Sequence, residues 1–305
     1  MKTPLRYAGG KSKAYKIITE YLPEHLPTGK IVSPFIGGGS LESRWSSELD
    51  IPVQGYDVLH PLVIFWNILL DYREDLVARC RYLEPTKDEY KQVKDELMKW
   101  CITQMMFPAP MDRDEKDRWA YYRVPDEEMI TLCHKDAAAY FFYNHNLSYG
   151  PMYLGWMSKI YESREKWDRM IDRLEKYVNP NLNVQIGNMI DTIPYHKKDF
   201  LYLDPPYYLE KDADNKMFKG MYPNANFPIY HNNFDHEYMA MMLSRHEGPF
   251  VLSYNNCETI REWYSEYEFV YPEWHYSYSL GETRVGKNKE NNDPKKSHEI
   301  LIIKR

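Results

Sequence analysis

The strongest constraint on the fold is a run of three glycines between a short apolar segment and a stretch with helical spacing. Lys30–Val32 is typical of a buried strand, Gly37–Gly39 form a turn after it, and Ser40 can cap the next helix. Ile51–Asp57 then has the pattern of a second strand that ends in an acid. Together these segments predict a βαβ unit, which requires parallel strands covered by helices.

The same alternation returns in the second half of the chain. Further strands are predicted at Leu182–Ile186, Phe200–Leu203, Phe250–Ser253, Phe269–Tyr276 and Glu299–Ile303. Between residues 75 and 158 the alternation is lost, and the sequence becomes charged and aromatic. We therefore expect one α/β domain formed by residues 1–74 and 159–305, with residues 75–158 inserted as a second, largely helical domain.

Composition argues against several classes of protein. No apolar run is long enough to cross a bilayer, and the N-terminus lacks the apolar core of a secretory signal, so a cytoplasmic location is expected. The four cysteines are too far apart to indicate a zinc site or a disulfide scaffold, and no metal is predicted. A net charge of −6 argues mildly against a general nucleic-acid binder, although charge alone does not decide this.

The glycine turn and the acid after it indicate the kind of cofactor. Glycines at a strand-to-helix turn let the backbone approach a ligand beside the free amides of a helix N-terminus. Asp57 closes the next strand at about the spacing at which an acid binds ribose hydroxyls in dinucleotide folds. No Lys-Ser or Lys-Thr pair follows Gly39, so the triphosphate-binding pattern is not met. The cofactor is therefore expected to contain adenosine.

The segment Asp204-Pro205-Pro206-Tyr207 directly follows the apolar strand that ends at Leu203. An exocyclic amine of a base is a poor nucleophile, because its lone pair is delocalised into the ring. The Asp204 carboxylate and the Pro205 carbonyl can accept its two N–H bonds and free that lone pair. The prolines stiffen the loop, and Tyr207 can stack on the base held there. This pattern predicts methylation of a base amine.

Three motifs in order resemble those of the Dam-like, D12-class DNA adenine methyltransferases. Tyr7-Ala8-Gly9-Gly10-Lys11 resembles the family's N-terminal cofactor motif, Pro34–Ser40 its glycine-rich motif, and Asp204–Tyr207 its catalytic tetrad. The resemblance implies a Rossmann-like, mostly parallel sheet that ends in an antiparallel hairpin, with an inserted, largely helical target-recognition domain at residues 75–158. It also implies methyl transfer from S-adenosylmethionine to N6 of an adenine flipped out of double-stranded DNA.

The resemblance assigns most of the candidate site. Catalytic roles are expected for Asp204, Pro205, Pro206 and Tyr207. Cofactor contacts are expected from Tyr7, Gly10, Lys11, Phe35, Gly37, Gly39, Ser40, Asp57, Asn188 and Asp204. The chain departs from the family pattern at Ser33, where relatives commonly have an acid before the Pro-Phe pair, and at Asn188, where they usually have an acid near the adenine of the cofactor. Asn188 can still hydrogen-bond there.

Contacts to DNA are expected from the inserted domain. Tyr140–Asn144, followed by Gly150, resembles part of the family's target-recognition domain, and Asn144, Asn146 and Tyr153 are predicted to contact DNA. Arg123 is predicted to contact phosphate. The basic residue that follows the recognition-loop glycine in GATC-type relatives is missing here, so GATC specificity is not expected.

Two alternatives stay open at this stage. The tetrad binds an exocyclic amine and does not distinguish adenine from cytosine, so the chain could be a cytosine-N4 methyltransferase. A DNA-binding or regulatory relative with an inactive site is the other alternative. Motif order and the intact tetrad favour an adenine-specific enzyme, and no protein partner is evident from the sequence.

Overall fold

The computed structural model describes residues 1–104, 131–150, 153–208, 234–272 and 299–305. The described strands are β1 (Ile31–Ser33), β2 (Val53–Asp57), β3 (Leu182–Ile186), β4 (Phe200–Leu203), β5 (Phe250–Asn255), β6 (Glu268–Val270) and β7 (Glu299–Lys304). The described α-helices are α1 (Tyr15–Thr19), α2 (Glu42–Glu48), α3 (His60–Asp71), α4 (Arg73–Tyr82), α5 (Lys87–Thr103), α6 (His134–Leu147), α7 (Arg164–Glu175), α8 (Met189–Tyr195), α9 (His236–Ser244) and α10 (Glu258–Trp263).

All seven strands join one sheet in the order β3-β2-β1-β4-β5-β7-β6. The first five strands are parallel, with Ile31 opposite Val53 on one side and opposite Phe200 on the other. Strand β7 pairs antiparallel with both β5 and β6. The mostly parallel sheet and its closing antiparallel pair confirm the predicted Rossmann-like α/β fold.

Alternation along the strands divides the core between the two faces of the sheet. Ile31 and Phe200 belong to one hydrophobic cluster, while their chain neighbours Val32 and Leu201 belong to the other. Because successive side chains of a strand point to opposite faces, a central strand such as β4 is buried at every position. The second face carries α8, α9 and α10, and the first face carries the remaining helices, α1 to α7.

The described helices between residues 75 and 158 pack onto the first layer of helices. Helix α6 crosses α3, and the Phe142 ring stacks on the Phe65 ring with 5.5 Å between centroids and 6° between planes. Leu76 of α4 and Trp100 of α5 lie in the same hydrophobic cluster as strands β1 and β2. The described part of this segment therefore shares its core with the sheet domain.

Candidate active site

Four neighbouring strands deliver the predicted site residues to one edge of the sheet. Strands β3, β2, β1 and β4 are parallel and end at the same edge. Asn188 follows β3, Asp57 is the last residue of β2, the turn of residues Gly37–Gly39 (the glycine loop) follows β1, and Asp204 follows β4. Ligands of open α/β sheets bind at the carboxyl ends of the strands. The topology thus brings together residues that are up to 167 positions apart, from Gly37 to Asp204.

The glycine loop is tightly covered by the N-terminal segment. Gly37 and Gly39 have φ of +47° and +57°, a left-handed conformation that glycine adopts without strain. A Cβ atom on Gly38 would lie 2.3 Å from Cβ of Tyr7, so any larger residue would displace the Tyr7 side chain. The Trp66 indole donates to the Gly37 carbonyl at 3.0 Å. These contacts hold the loop in one shape.

Asp57 ties the glycine loop to the end of β2. One carboxylate oxygen accepts from the Gly37 amide at 3.0 Å, and the other accepts from the Leu59 amide at 3.0 Å. Burial raises the pKa of Asp57, and these backbone hydrogen bonds offset part of the rise. A carboxylate has about four acceptor positions, so Asp57 keeps the capacity to accept from a ligand hydroxyl.

A cavity of about 580 Å³ opens beside Asp57, between the ends of β2 and β3. Its lining residues are Tyr56, Val58, His60, Ile186, Gly187, Asn188, Asp191, Thr192 and Tyr195. Oδ1 of Asn188 accepts from the Ile190 amide at 3.1 Å and caps α8, so its amide nitrogen is the group that would donate to a ligand. The cavity has the size and the mixed lining of a small-molecule site.

The N-terminal motif crosses the glycine loop and ends at the tetrad. Gly10 N donates to the Tyr7 carbonyl at 3.2 Å, and Lys11 N donates to the Ser40 hydroxyl at 2.9 Å. The prediction that Ser40 caps α2 is wrong, because Leu41 holds the N-cap position and no side chain caps that helix. Ser40 instead anchors the backbone of the N-terminal motif.

Lys11 and Asp204 form an ion pair at the centre of the site. The Lys11 ammonium lies 2.8 Å and 2.9 Å from the two carboxylate oxygens, although 193 positions separate the residues. Lys11 is only 3 % exposed, and its ammonium also lies 3.8 Å from the buried carboxylate of Glu299. Burial raises the pKa of Asp204, and Lys11 offsets part of the rise. Both oxygens of Asp204 are thus within reach of an N–H donor.

The other tetrad residues form a wall around this pair. Pro205 is buried, Pro206 is partly buried, and the Tyr207 ring centroid lies 5.1 Å from the Lys11 ammonium. Tyr207 also stacks with Tyr254 of β5 at 6.1 Å. Next to it, the Tyr208 amide and carbonyl both hydrogen-bond the Asn255 side chain, at 2.9 Å and 2.8 Å.

This reciprocal pair fastens the tetrad loop to the end of β5. The sequence analysis assigns no role to Asn255 and does not predict this clamp. An asparagine at a strand end is the only signal the sequence offers for it.

A comparison with models of protein families identifies the chain. Residues 7–278 match the model for D12 class N6 adenine-specific DNA methyltransferases. The chain belongs to this family. It is therefore an enzyme that methylates adenine in DNA at specific sites, using a methyl donor. A comparison with curated proteins finds no match.

The methyltransferase buries two residues that the sequence predicted to contact DNA. Asn144 and Asn146 lie in the last turns of α6 and are 0 % exposed. Oδ1 of Asn146 accepts from the Arg6 amide at 2.9 Å, and Oδ1 of Asn144 accepts from the Leu154 amide at 2.8 Å. A side chain that reads base edges has to reach a groove of the DNA. The described structure holds both asparagines inside the protein, and their contact with DNA stays a prediction.

The remaining predicted DNA contacts differ in their placement. Tyr153 is partly buried, with its ring against Phe141 and its hydroxyl 2.8 Å from Sγ of Cys101. Arg123 lies outside the described residues. Two aromatic residues on the same segment are exposed instead: Tyr149 is 53 % exposed and Trp156 is 81 % exposed. The Tyr149 amide donates to the Trp156 carbonyl at 2.6 Å, so the two residues are adjacent.

Two further findings concern the methyltransferase as described. Among the described residues, no group of three or more His, Cys, Asp or Glu is arranged to hold a metal ion. None of the helices in the described ranges is long and apolar enough to span a membrane.

Proposed function

We propose that this methyltransferase transfers the methyl group of S-adenosylmethionine to N6 of an adenine flipped out of double-stranded DNA. The observation that carries the proposal is the position of Asp204. Its carboxylate stands one strand away from the glycine loop and accepts from a nitrogen at both oxygens. A methyl donor on the glycine loop and an amine on Asp204 would therefore be neighbours.

The cofactor residues fit S-adenosylmethionine. Asp57 and the adjoining cavity suit ribose and adenine, and the glycines of the loop place no side chain between its backbone and a ligand. Tyr7, Gly10, Phe35 and Ser40 surround the same loop and complete the proposed contacts. Bound S-adenosylmethionine supplies an electrophilic methyl group on a sulfonium. No metal is needed for this direct transfer.

Asp204 is the residue that activates the amine. Its carboxylate and the Pro205 carbonyl accept the two N–H bonds of the adenine amine, which directs the nitrogen lone pair at the methyl group. In the structure Lys11 donates to both oxygens, so its ammonium gives way when the amine enters. Pro206 and Tyr207 form the wall against which the base lies.

Base flipping follows from the depth of this site. Asp204 is only about one-quarter exposed, and an amine within a stacked duplex cannot reach it. Enzymes that act on a base amine extrude the nucleotide at a cost of a few kcal/mol. Residues 75–158 supply the contacts that choose the DNA site, and the exposed side chains of Tyr149 and Trp156 are added to the proposed contacts. Arg123 remains the proposed phosphate contact.

The test separates chemistry from cofactor binding. Asp204→Ala should lower methylation of duplex DNA by at least about 10³-fold and leave the Kd for S-adenosylmethionine nearly unchanged. Asp57→Ala should weaken cofactor binding about tenfold or more, because it removes hydrogen bonds to a charged acceptor. Asp172→Ala, an exposed acid on α7, is the matched control. Near-normal turnover in Asp204→Ala would overturn the mechanism.

The substrate is tested in the same reactions. Mass spectrometry of digested product DNA should detect N6-methyladenine, and duplex DNA should be a better substrate than the matching single strand. A marked preference for the single strand would remove double-stranded DNA from the proposal.

A further inference from the structure

Glu42 is a buried acid that the proposed mechanism does not use. It is the first residue of α2, directly after the glycine loop, and it is 3 % exposed. One carboxylate oxygen accepts from the Ser33 hydroxyl at 2.8 Å, and the other accepts from the Leu41 amide at 3.2 Å. Its side chain therefore turns back beneath the loop to the last residue of β1.

Glu42 has hydrogen-bond donors but no cationic partner in the described chain. None of the described Lys, Arg or His side chains lies within 4.0 Å of its carboxylate. Burial raises the pKa of Glu42 to about 7, and the negative charge of Asp204 contributes to the rise. A buried acid without a cation is costly, so proteins rarely keep one where a neutral residue would pack equally well.

The ion pair at the centre of the site does not neutralise Glu42. Lys11 lies against Asp204, so these two charges offset each other. The carboxylate of Glu42, when ionised, is then a buried negative charge to which Asp204 adds repulsion. A buried negative charge is complementary to a cationic ligand.

We propose that Glu42 is a cofactor-binding residue whose carboxylate faces a positive charge of S-adenosylmethionine. The inference rests on the proposed function, which brings this cofactor to the glycine loop. S-adenosylmethionine carries two cations, the sulfonium and the α-ammonium, and either would complete the charge balance at Glu42. Ser33 is a positioning residue, because its hydroxyl orients the carboxylate from the end of β1.

Ser33 connects this carboxylate to the strand that leads into the glycine loop. It is the last residue of β1 and is fully buried. Its hydroxyl donates to the carboxylate of Glu42, which comes nine positions later, at 2.8 Å. The first turn of α2 thus supplies an acid that is held against the end of β1.

Binding measurements at pH 8 test the inference. Titration calorimetry gives the Kd for S-adenosylmethionine and for S-adenosylhomocysteine, which lacks the sulfonium charge but keeps the α-ammonium. Glu42→Gln, which has nearly the same shape, should raise the Kd for S-adenosylmethionine at least tenfold. Ser33→Ala should raise it about threefold. Glu48→Gln removes the same charge from the exposed end of α2 and should change it less than twofold.

The two ligands identify the charge that Glu42 faces. An equal loss for both ligands in Glu42→Gln assigns the carboxylate to the α-ammonium, and a loss confined to S-adenosylmethionine assigns it to the sulfonium. Thermal unfolding of the same variant separates binding from folding. A binding role predicts weaker cofactor binding with an unchanged or higher Tm, whereas a structural role predicts a lower Tm.

Two results would overturn the inference. Glu42→Gln with both Kd values within twofold of the wild type would exclude Glu42 from the cofactor site while leaving the proposed function intact. A lower Tm that accounts for the lost affinity would make Glu42 structural. Failure of the wild-type chain to bind S-adenosylmethionine would instead overturn the proposed function itself, and that result needs no variant.

Discussion

Two buried polar regions on either side of Tyr7 and the glycine loop differ in the charge that their side chains can carry. At the end of α6, Oδ1 of Asn144 and of Asn146 accepts from a backbone amide, and the neutral His145 ring stacks between Tyr7 and Phe141 at 5.3 Å from each. Nδ2 of Asn144 and both ring nitrogens of His145 are buried without a hydrogen-bond partner in the described residues. At the end of β1, both oxygens of Glu42 accept hydrogen bonds, but the described residues offer this acid no cation. A neutral polar group is buried at moderate cost, whereas a buried acid without a cation indicates a place for a ligand.

The two regions also respond to pH in opposite ways. Burial lowers the pKa of His145 to about 3, so this residue favours the folded state above its unfolded pKa and loses that contribution as pH falls. Burial raises the pKa of Glu42 to about 7 in the folded state. The contribution of Glu42 to the free energy of unfolding is therefore fully present below its unfolded pKa and is lost as pH rises through about 7. Single substitutions in the two regions should therefore change the free energy of unfolding in opposite directions.

The largest effect on stability is expected for Glu42→Gln. At pH 8 the folded wild type keeps Glu42 ionised, which lowers the free energy of unfolding by about 3 kcal/mol. The neutral amide of glutamine removes that cost. The variant should be more stable than the wild type by about that amount at pH 8 and by less than about 1 kcal/mol at pH 5. Urea unfolding at both pH values measures the difference. A variant less stable than the wild type at pH 8 would contradict the comparison.

Asn146→Ala should lower the free energy of unfolding by about 2 kcal/mol, because it removes the side-chain acceptor of the partly buried Arg6 amide. Asn183→Ala, on an exposed position of β3, should change it by less than about 0.5 kcal/mol. The site preference of the Asn146 variant is then measured on a randomised DNA library. Normal stability with an altered preference would restore Asn146 as a DNA-reading residue.

His145→Phe should remove an acid-sensitive contribution while keeping the stack with Tyr7 and Phe141. Between pH 7.5 and pH 5.5 the wild type should lose about 1.4 kcal/mol of stability through this residue, and the variant should not. The readout is the difference between wild-type and variant unfolding free energies at the two pH values. Parallel pH profiles would show that His145 titrates normally.

Trp156→Ala should have the smallest of these effects, a weakening of DNA binding by about fivefold, because the exposed indole loses its contact with DNA. Tyr82→Ala, which also removes a largely exposed aromatic side chain, is the control. Fluorescence anisotropy with duplex DNA measures both. If Trp156→Ala and Tyr82→Ala bind duplex DNA with equal affinity, the residues that recognise DNA lie outside the described part of residues 75–158.

Local pattern was sufficient for two of the strands. The predicted limits of Leu182–Ile186 and Phe200–Leu203 agree residue for residue with β3 and β4. The edge strand β3 has buried Leu182 and Val184 on either side of exposed Asn183, and the central strand β4 is a short apolar run that is buried throughout. Both signals lie within a few positions of the chain. The order of the motifs similarly predicted the family.

Tertiary structure decided which polar residues point inward. Nothing in the sequence around Asn144 or Glu42 shows whether a side chain meets solvent or a backbone amide, because that depends on how α6 packs on α3 and how α2 returns beneath β1. The Lys11–Asp204 pair likewise exists only because a segment at the N-terminus crosses the glycine loop. The sequence by itself therefore determined the strands, the motifs and the family, since these depend on neighbouring residues. Burial and charge pairing depend on residues distant in the chain, and only the folded structure brings those together.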